Sequence, residues 1–212
     1  MQAIVLHGKQ DLRFNPNHRT PKPGTGEVLL RMTYSSICQT DIEMWQHGMF
    51  IKNSEPRILG HEAAGIIEAL GEGVSSIQVG TRVAVENVRT CGVCFFCRKG
   101  TSQLCDNGRN FGFTDDGGLA EYGVWPADLC IPLPDNVTNE EAPLAEPTSV
   151  AVHAVEHTDI SMGSSAAIIC HLVFVDPVPA GISLPTITFS FRPRKLSTLP
   201  LIAASVRTLV VS

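Results

Sequence analysis

The sequence predicts a mainly β protein with a few helices, in which a compact β-barrel or sandwich extends to about residue 134. Two observations lead to this fold class. Up to that point, short apolar or alternating segments are separated by Gly, Pro, Asn or Asp, which is the pattern of strands joined by turns. Four closely spaced cysteines also lie in one loop between these segments, which indicates a small lobe held by a metal ion.

The predicted elements follow one another along the chain. Strands are expected at residues 3–6, 27–34, 64–70, 82–86 and 121–125. Residues 41–47 are expected to form one or two helical turns. Thr138 and Glu141 match a capping box that opens a helix. A further helix is predicted to begin near Pro147, because proline is favoured in a first helical turn.

Length and charge exclude several classes of protein. The 212 residues can bury a sizeable core, and the 16 basic and 21 acidic residues include no basic block longer than 192–195, so no nucleic-acid partner is expected. The apolar stretch 160–175 is shorter than the ~20 residues of a membrane span, so no membrane partner is expected. The first ten residues lack the pattern of a secretory signal, which predicts a cytoplasmic protein with reduced thiols.

Cys91, Cys94, Cys97 and Cys105 have the spacing C-x2-C-x2-C-x7-C, which lets one loop surround a tetrahedral ion. Four thiolates saturate Zn²⁺, so the predicted site is structural. Three alternatives fit less well. A bacterial iron–sulfur run has x3 and a following Pro, where this chain has x7 and Asp106. A disulfide framework needs an oxidising compartment, and a redox C-x-x-C pair normally follows a strand of a βαβ unit.

A second candidate site comprises Cys38, His61, Glu62 and Glu146, each of which stands where a strand ends or a helix begins. A thiolate, an imidazole and a carboxylate that leave one position open make up a catalytic zinc site. Taken singly, these residues have ordinary alternatives: a buried free cysteine, a histidine satisfied in the core and solvated carboxylates. The segment H-E-A-A-G also lacks the second histidine of the zincin motif H-E-x-x-H.

Six motifs stand in the order in which a known family has them. They are S-I-C-Q-T-D (36–41), G-H-E-A-A-G (60–65), V-G-T-R-V (79–83), the four cysteines, G-G-L-A-E-Y (117–122) and A-E-P (145–147). Together they resemble the medium-chain, zinc-dependent alcohol and polyol dehydrogenases over roughly residues 1–169, with a ligand pattern closer to sorbitol and butanediol dehydrogenases. The resemblance implies a GroES-like β-barrel catalytic domain that carries one catalytic and one structural zinc.

The resemblance also implies a role for each candidate residue. Cys38, His61 and Glu62 would bind the catalytic zinc, and Glu146 would join directly or through water. The ion would act as a Lewis acid and the hydroxyl of Thr40 would accept the proton of an alcohol. A hydride would then pass to NAD or NADP.

Residues close to the second site have expected roles of their own. Asp41 would orient His61 from behind the metal ligands. Glu43 stands where many relatives have the histidine that passes the proton to solvent, so the relay is expected to end differently, with His47 nearby.

The other histidines and cysteines outside the motifs are predicted to be structural. His153 and His157 are four residues apart on one helix, but no carboxylate or Cys has a matching spacing, so a surface or packing role is favoured. Cys130 and Cys170 have no ligand-like neighbours and are expected to act as small hydrophobic residues.

The predicted domain boundary lies near residue 160. Residues 1–160 would form the zinc-binding catalytic domain, and 161–212 a truncated start of a cofactor domain followed by an atypical proline-rich tail. In the family a Rossmann domain with G-x-G-x-x-G follows, whereas residues 170–173 are C-H-L-V and no G-x-G comes later. A Rossmann domain is therefore expected to be absent, and the tail is interpreted as a product of read-through, alternative splicing or a frameshift.

Two functions follow from these predictions. The first is a zinc-dependent oxidoreductase that transfers a hydride from a secondary alcohol or polyol to NAD(P), inactive as this isolated chain because the hydride has no acceptor. The alternative is a non-catalytic zinc-binding fragment, at most a partner for full-length subunits. The expected partners are a small alcohol or polyol and either further copies of this chain in a homo-oligomer or full-length subunits.

Overall fold

The computed structural model describes residues 1–49 and 56–158, together with the backbone of two short strands, Thr186–Thr188 and Ser205–Arg207. The chain divides into two units, one containing Met1–Val152 and one beginning at His153. The first unit holds three sheets, together with the candidate ligands of the two predicted zinc sites. In the second unit the two short strands pair with each other in antiparallel fashion. The sequence predictions for residues 159–173 and for the tail lie outside the described residues.

Ten strands lie in the described part of the first unit. They are β1 (Ala3–Gly8), β2 (Asp11–Asn15), β3 (Glu27–Ser36), β4 (Arg57–Ile58), β5 (Glu62–Leu70), β6 (Arg82–Val85), β7 (Val88–Arg89), β8 (Arg109–Asn110), β9 (Tyr122–Pro126) and β10 (Cys130–Pro132). Five form a sheet in the order β10-β6-β5-β3-β9, three form a sheet in the order β2-β1-β4, and β7 pairs with β8. The predicted mainly β fold class is confirmed.

Alternating apolar residues give each sheet a buried face. Val28 and Leu30 of β3 are fully buried, and they pack with Trp125 of β9 and Val83 of β6 in the core of the five-stranded sheet. A second core joins the three-stranded sheet to the first helix through residues that include Leu6, Ile58, Met44 and Leu119. These two cores fix the strand ends at which the candidate ligands lie.

Three α-helices lie among the described residues. They are α1 (Gln39–His47), α2 (Phe95–Lys99) and α3 (Ala145–Glu156). The sequence predicted α1 and placed the start of α3 within two residues, but it did not predict α2, β2, β4, β7, β8 or β10. No helix in the described part of the chain is long and apolar enough to cross a membrane.

The prediction of an α-helix directly after the capping box of Thr138 and Glu141 is wrong. The box itself forms, because the Glu141 carboxylate accepts the backbone N–H of Thr138 at 2.9 Å and the Glu141 N–H binds the Thr138 hydroxyl at 3.2 Å. A turn and a short 3₁₀ segment, Ala142–Leu144, follow instead of an α-helix. Pro143 and Pro147 explain the difference, since each lacks the amide hydrogen that a continuous α-helix from residue 139 would need.

Candidate metal centres

The pairing of β3 with β5 brings the first set of candidate ligands together. The two strands are antiparallel, and Ser36 at the end of β3 lies opposite Glu62 at the start of β5. Cys38 comes two residues after Ser36, and His61 directly precedes Glu62. Since the end of β3 and the start of β5 lie at the same edge of the sheet, all three donor residues meet there.

The ligand atoms of Cys38, His61 and Glu62 all lie within 4.8 Å of one another, and we call this set the three-donor cluster. His61 and Glu62 are only 3% and 7% exposed, whereas Cys38 is half-buried. The hydroxyl of Ser36 donates a short hydrogen bond to the Glu62 carboxylate. The Cys38 thiol lies 3.6 Å from the hydroxyl oxygen of Thr40. The cluster is therefore a largely buried group of donors with a hydroxyl beside the thiol.

Asp41 ties the two sides of this cluster together. Its carboxylate accepts the backbone N–H of Cys38 at 2.9 Å and that of Gly60 at 3.2 Å. One of its oxygens also lies 3.7 Å from Nδ1 of His61. Asp41 therefore fixes the backbone on both sides of the cluster and places a negative charge beside the imidazole.

The electrostatics of the three-donor cluster favour a cation. Burial by itself lowers the pKa of His61, but attraction to the nearby Asp41 carboxylate and Cys38 thiol outweighs it and raises the pKa to about 10. Nδ1 of His61 is also buried without a hydrogen-bond partner in the described part of the chain. A thiol, an imidazole and a carboxylate in a negative environment fit Zn²⁺, and the same field that holds a proton on His61 would attract the ion.

Glycines make possible the sharp turn that presents His61. Gly60 has φ of +94°, and a Cβ atom there would lie 2.7 Å from the Leu119 side chain and 2.8 Å from the Ser35 hydroxyl. At Gly117 a Cβ atom would lie 2.4 Å from the carbonyl oxygen of Gly60. The amide of Gly118 donates to that carbonyl at 2.7 Å. The G-G-L segment therefore packs directly against the G-H-E turn, and both need residues without side chains.

Glu146 stands apart from the three-donor cluster. Among the described residues, its carboxylate does not join the group of ligand atoms that lie within 4.8 Å of one another. It is nevertheless electrostatically coupled to the cluster. Burial raises its pKa, the charge of His61 opposes the shift, and nearby carboxylates add to it. Those carboxylates belong to Glu62, Glu86 and Asp41. Glu146 thus lies within electrostatic reach of the three donors, in the first turn of α3.

The four cysteines form a second, separate group whose sulfur atoms lie within 4.8 Å of one another, and we call it the four-cysteine cluster. Sγ of Cys91 lies 3.9 Å from Sγ of Cys97, and Sγ of Cys94 lies 3.8 Å from Sγ of Cys105. The β7–β8 ribbon closes the base of the loop, and α2 lies within it. Four sulfur atoms at this separation suit a single tetrahedral Zn²⁺.

Backbone amides help to prepare the four-cysteine cluster for a metal. The N–H of Cys94 donates to Sγ of Cys91, and that of Cys91 donates to Sγ of Cys105, each at 3.3 Å. Hydrogen bonds from the amides of Val93 and Cys94 lower the pKa of Cys91 to about 6. Since the thiolate is the ligand form of cysteine, this favours metal binding by Cys91.

The structure adds two residues that sequence reasoning missed. Ser36 binds the carboxylate of Glu62, and Phe113 places its ring against that of His61, with centroids 4.5 Å apart. The pairing of the two apolar strands could have indicated Ser36, but no sequence signal pointed to Phe113.

Cys130 is buried and burial raises its pKa to about 12, which confirms the prediction of a small hydrophobic residue.

Sequence comparison identifies the class of domain that combines these β-sheets with a four-sulfur loop and a thiol–imidazole–carboxylate cluster. The Alcohol dehydrogenase GroES-like domain matches residues 24–135, more than half of the chain. The chain belongs to this family. The resemblance that its motifs carried is thereby confirmed.

Individual relatives narrow the comparison. Sorbitol dehydrogenase of Gallus gallus is 40% identical over 173 residues, and the match covers 76% of this chain and 46% of the relative. An alcohol dehydrogenase of Escherichia coli, solved with NADH, is 34% identical with a TM-score of 0.68, covering 74% of this chain and 45% of the other. The structure of 2R,3R-butanediol dehydrogenase from Bacillus subtilis is 29% identical in sequence, with a TM-score of 0.68. The match covers 75% of this chain and 48% of that protein. The chain spans about half the length of the curated relatives it matches.

Proposed function

We propose that this chain carries the zinc-binding catalytic domain, over residues 1–160, of an oxidoreductase that transfers a hydride from a secondary alcohol or polyol to NAD(P). The observation that carries the proposal is the convergence of Cys38, His61 and Glu62 within 4.8 Å in a negative environment. The sorbitol and butanediol dehydrogenases among its relatives support a polyol or secondary alcohol as substrate. The NADH in the Escherichia coli structure supports a nicotinamide acceptor.

Each donor residue would have a defined part in the site. Cys38, His61 and Glu62 would hold a catalytic Zn²⁺, with Glu146 acting directly or through water. When bound, the ion supplies Lewis-acid chemistry to an alcohol oxygen. The four-cysteine cluster would hold a second Zn²⁺, which has no open position and therefore maintains the lobe. These thiols need a reducing compartment, which supports a cytoplasmic location.

Thr40 would accept the proton that the alcohol releases. Its hydroxyl lies 3.6 Å from Sγ of Cys38, which puts it beside the thiol of the three-donor cluster. A hydroxyl can accept one proton only if it passes its own to another group. Further along α1, Glu43 lies 3.5 Å from His47 and both are partly exposed, so this pair is the candidate exit of the relay to solvent.

The hydride acceptor must be bound elsewhere than in the GroES-like domain. The 212 residues contain no G-x-G-x-x-G, and on this basis we expect little or no turnover from the chain alone. The same observation favours a second candidate function, a non-catalytic zinc-binding fragment that pairs at most with full-length subunits.

Native mass spectrometry of the full chain, with and without NAD, and an assay with sorbitol as substrate test this proposal. We expect two Zn²⁺ per chain, one of which Cys38→Ser removes. Turnover that Cys38→Ser abolishes would establish a working dehydrogenase. Two zinc ions without NAD binding or turnover would establish the non-catalytic fragment. A chain in which Cys38→Ser changes no zinc content would contradict the proposed catalytic site.

A further inference from the structure

The end of α3 carries a pair of histidines that the proposed function does not use. His153 lies in the last turn of α3, and His157 follows directly after it, one helical turn further on. Both side chains are exposed, and their ring centroids lie 4.0 Å apart with the planes tilted by 48°. Residues four apart share one face of a helix, so this closeness follows from the spacing.

A hydrogen bond fixes the tautomer of His157. Its Nδ1 lies 2.9 Å from the backbone carbonyl oxygen of His153. Since a carbonyl oxygen can only accept, Nδ1 must carry the hydrogen, and the neutral ring then keeps a free lone pair on Nε2. Histidines that bind metals commonly donate their other ring N–H to a carbonyl or carboxylate in this way.

The backbone of this turn is itself well held. The carbonyl of His153 also accepts the backbone N–H of His157 at 3.1 Å. The carbonyl of Val155 accepts both the backbone N–H of Thr158 at 3.0 Å and its hydroxyl at 2.7 Å. Carbonyls at a helix end otherwise lack partners, so these bonds fix the position from which both rings project.

We propose that His153 and His157 form a bidentate binding site for a divalent transition-metal ion of the Ni²⁺, Cu²⁺ or Zn²⁺ type, with water in the remaining positions. Imidazole nitrogen is a preferred ligand of these ions. Two histidines at i and i+4 on one helix are a known zinc-binding arrangement. Two metal–nitrogen bonds of ~2.1 Å would separate the ligand nitrogens by about 3.0 Å at the 90° angle of a tetragonal Ni²⁺ or Cu²⁺ ion and by about 3.4 Å at a tetrahedral Zn²⁺ ion. Two rings with centroids 4.0 Å apart can provide either separation.

This site would be independent of the dehydrogenase chemistry. Both rings are exposed, so an ion reaches them from solvent without any opening of the fold. The two sites proposed above use thiolates, which prefer Zn²⁺, whereas the histidine pair offers nitrogen alone and would take Ni²⁺ readily. Failure of the proposed function would therefore leave this inference unaffected.

A Ni²⁺ titration of the full chain tests the proposal, after zinc has filled the tight sites and the excess has been removed. The readout is paramagnetic broadening of the histidine ring signals in NMR spectra. We expect the signals of His153 and His157 to broaden first and together, while those of His7 and His18 stay sharp. Equal broadening of all histidines, or none at these two, would overturn the proposal.

Two variants separate chelation from simple attraction to a histidine. His157→Ala removes one ligand. Loss of a residue that merely hydrogen-bonds to a metal ligand lowers metal affinity about 10–100-fold, so loss of the ligand itself should weaken Ni²⁺ binding at least about tenfold. Val155→His combined with His157→Val keeps two histidines but places them two apart, where they no longer share a face, and should weaken binding equally. His7→Ala is the control. Wild-type affinity in both test variants would refute the bidentate site.

Discussion

The two candidate metal sites of the first unit, the four-cysteine cluster and the three-donor cluster, differ in how their donor residues are positioned. The four-cysteine cluster lies on one loop between β7 and β8, and all four cysteines are partly exposed. The three-donor cluster joins Cys38, which follows the end of β3, to His61 and Glu62 at the start of β5. Its histidine and glutamate are buried. Sheet pairing and backbone hydrogen bonds therefore hold the buried donors, whereas the partly exposed loop would depend more on an ion held by its four sulfur atoms. This difference suits a closed structural site and an open, preorganised one.

The largest effect should come from breaking the four-cysteine cluster. Structural zinc contributes about 10–16 kcal/mol of apparent binding free energy in small zinc-bound folds, and this becomes folding free energy of the loop. Cys94→Ser should therefore lose one zinc and make residues 90–108 sensitive to protease, while the five-stranded sheet stays folded. Zinc analysis and limited proteolysis measure both effects. Cys130→Ala is the control, because it removes a buried thiol and should keep both ions; cleavage equal to wild type in Cys94→Ser would contradict the prediction.

A pair of glycine substitutions tests how tightly each cluster is packed. In Gly60→Ala, alanine would have to adopt a left-handed backbone conformation, and its Cβ atom would clash with Leu119. Together these effects should lower the free energy of unfolding by about 2–5 kcal/mol. Gly92, in the four-cysteine loop, also has a positive φ of +71°, but open space surrounds the position where a Cβ atom would lie. Gly92→Ala should therefore lower the free energy of unfolding by only the cost of the left-handed backbone, about 1–2 kcal/mol. Urea unfolding of the zinc-loaded proteins compares them. Equal costs would show that the G-H-E turn is no more constrained than the loop.

Removal of the Ser36 hydroxyl should weaken the three-donor cluster specifically. Ser36→Ala leaves the buried Glu62 carboxylate without this donor, and such supporting contacts are worth about 10–100-fold in metal affinity. Ser35→Ala is the matched control, because the Ser35 hydroxyl binds the backbone carbonyl of Glu62 and not its carboxylate. Competition for zinc with a chelator gives both affinities. The prediction fails if Ser36→Ala and Ser35→Ala have the same effect.

The smallest effect is expected at Glu146. Because its carboxylate lies outside the group of three donor atoms, Glu146→Gln should change zinc affinity by less than about tenfold, or ~1.4 kcal/mol. The same chelator competition measures this, with the exposed Glu72→Gln as control. A loss as large as that of Cys38→Ser would identify Glu146 as a direct ligand.

The sequence by itself determined the local features of this protein. Cysteine spacing predicted the four-cysteine cluster because its ligands lie within 15 residues and need only one loop to converge. Alternating apolar segments predicted five of the strands, since burial of one sheet face imposes that pattern. The six ordered motifs predicted the family, and its domain match confirmed it.

Only the tertiary structure decided how distant residues meet. The contact of Ser36 with Glu62 depends on the register of two strands, and the ring contact of Phe113 with His61 depends on the loop between β8 and β9. The need for glycine at residue 60 comes from Leu119, which is far away in sequence. Spacing along a chain fixes what one loop or helix turn can bring together, whereas register and packing arise only when the whole core forms.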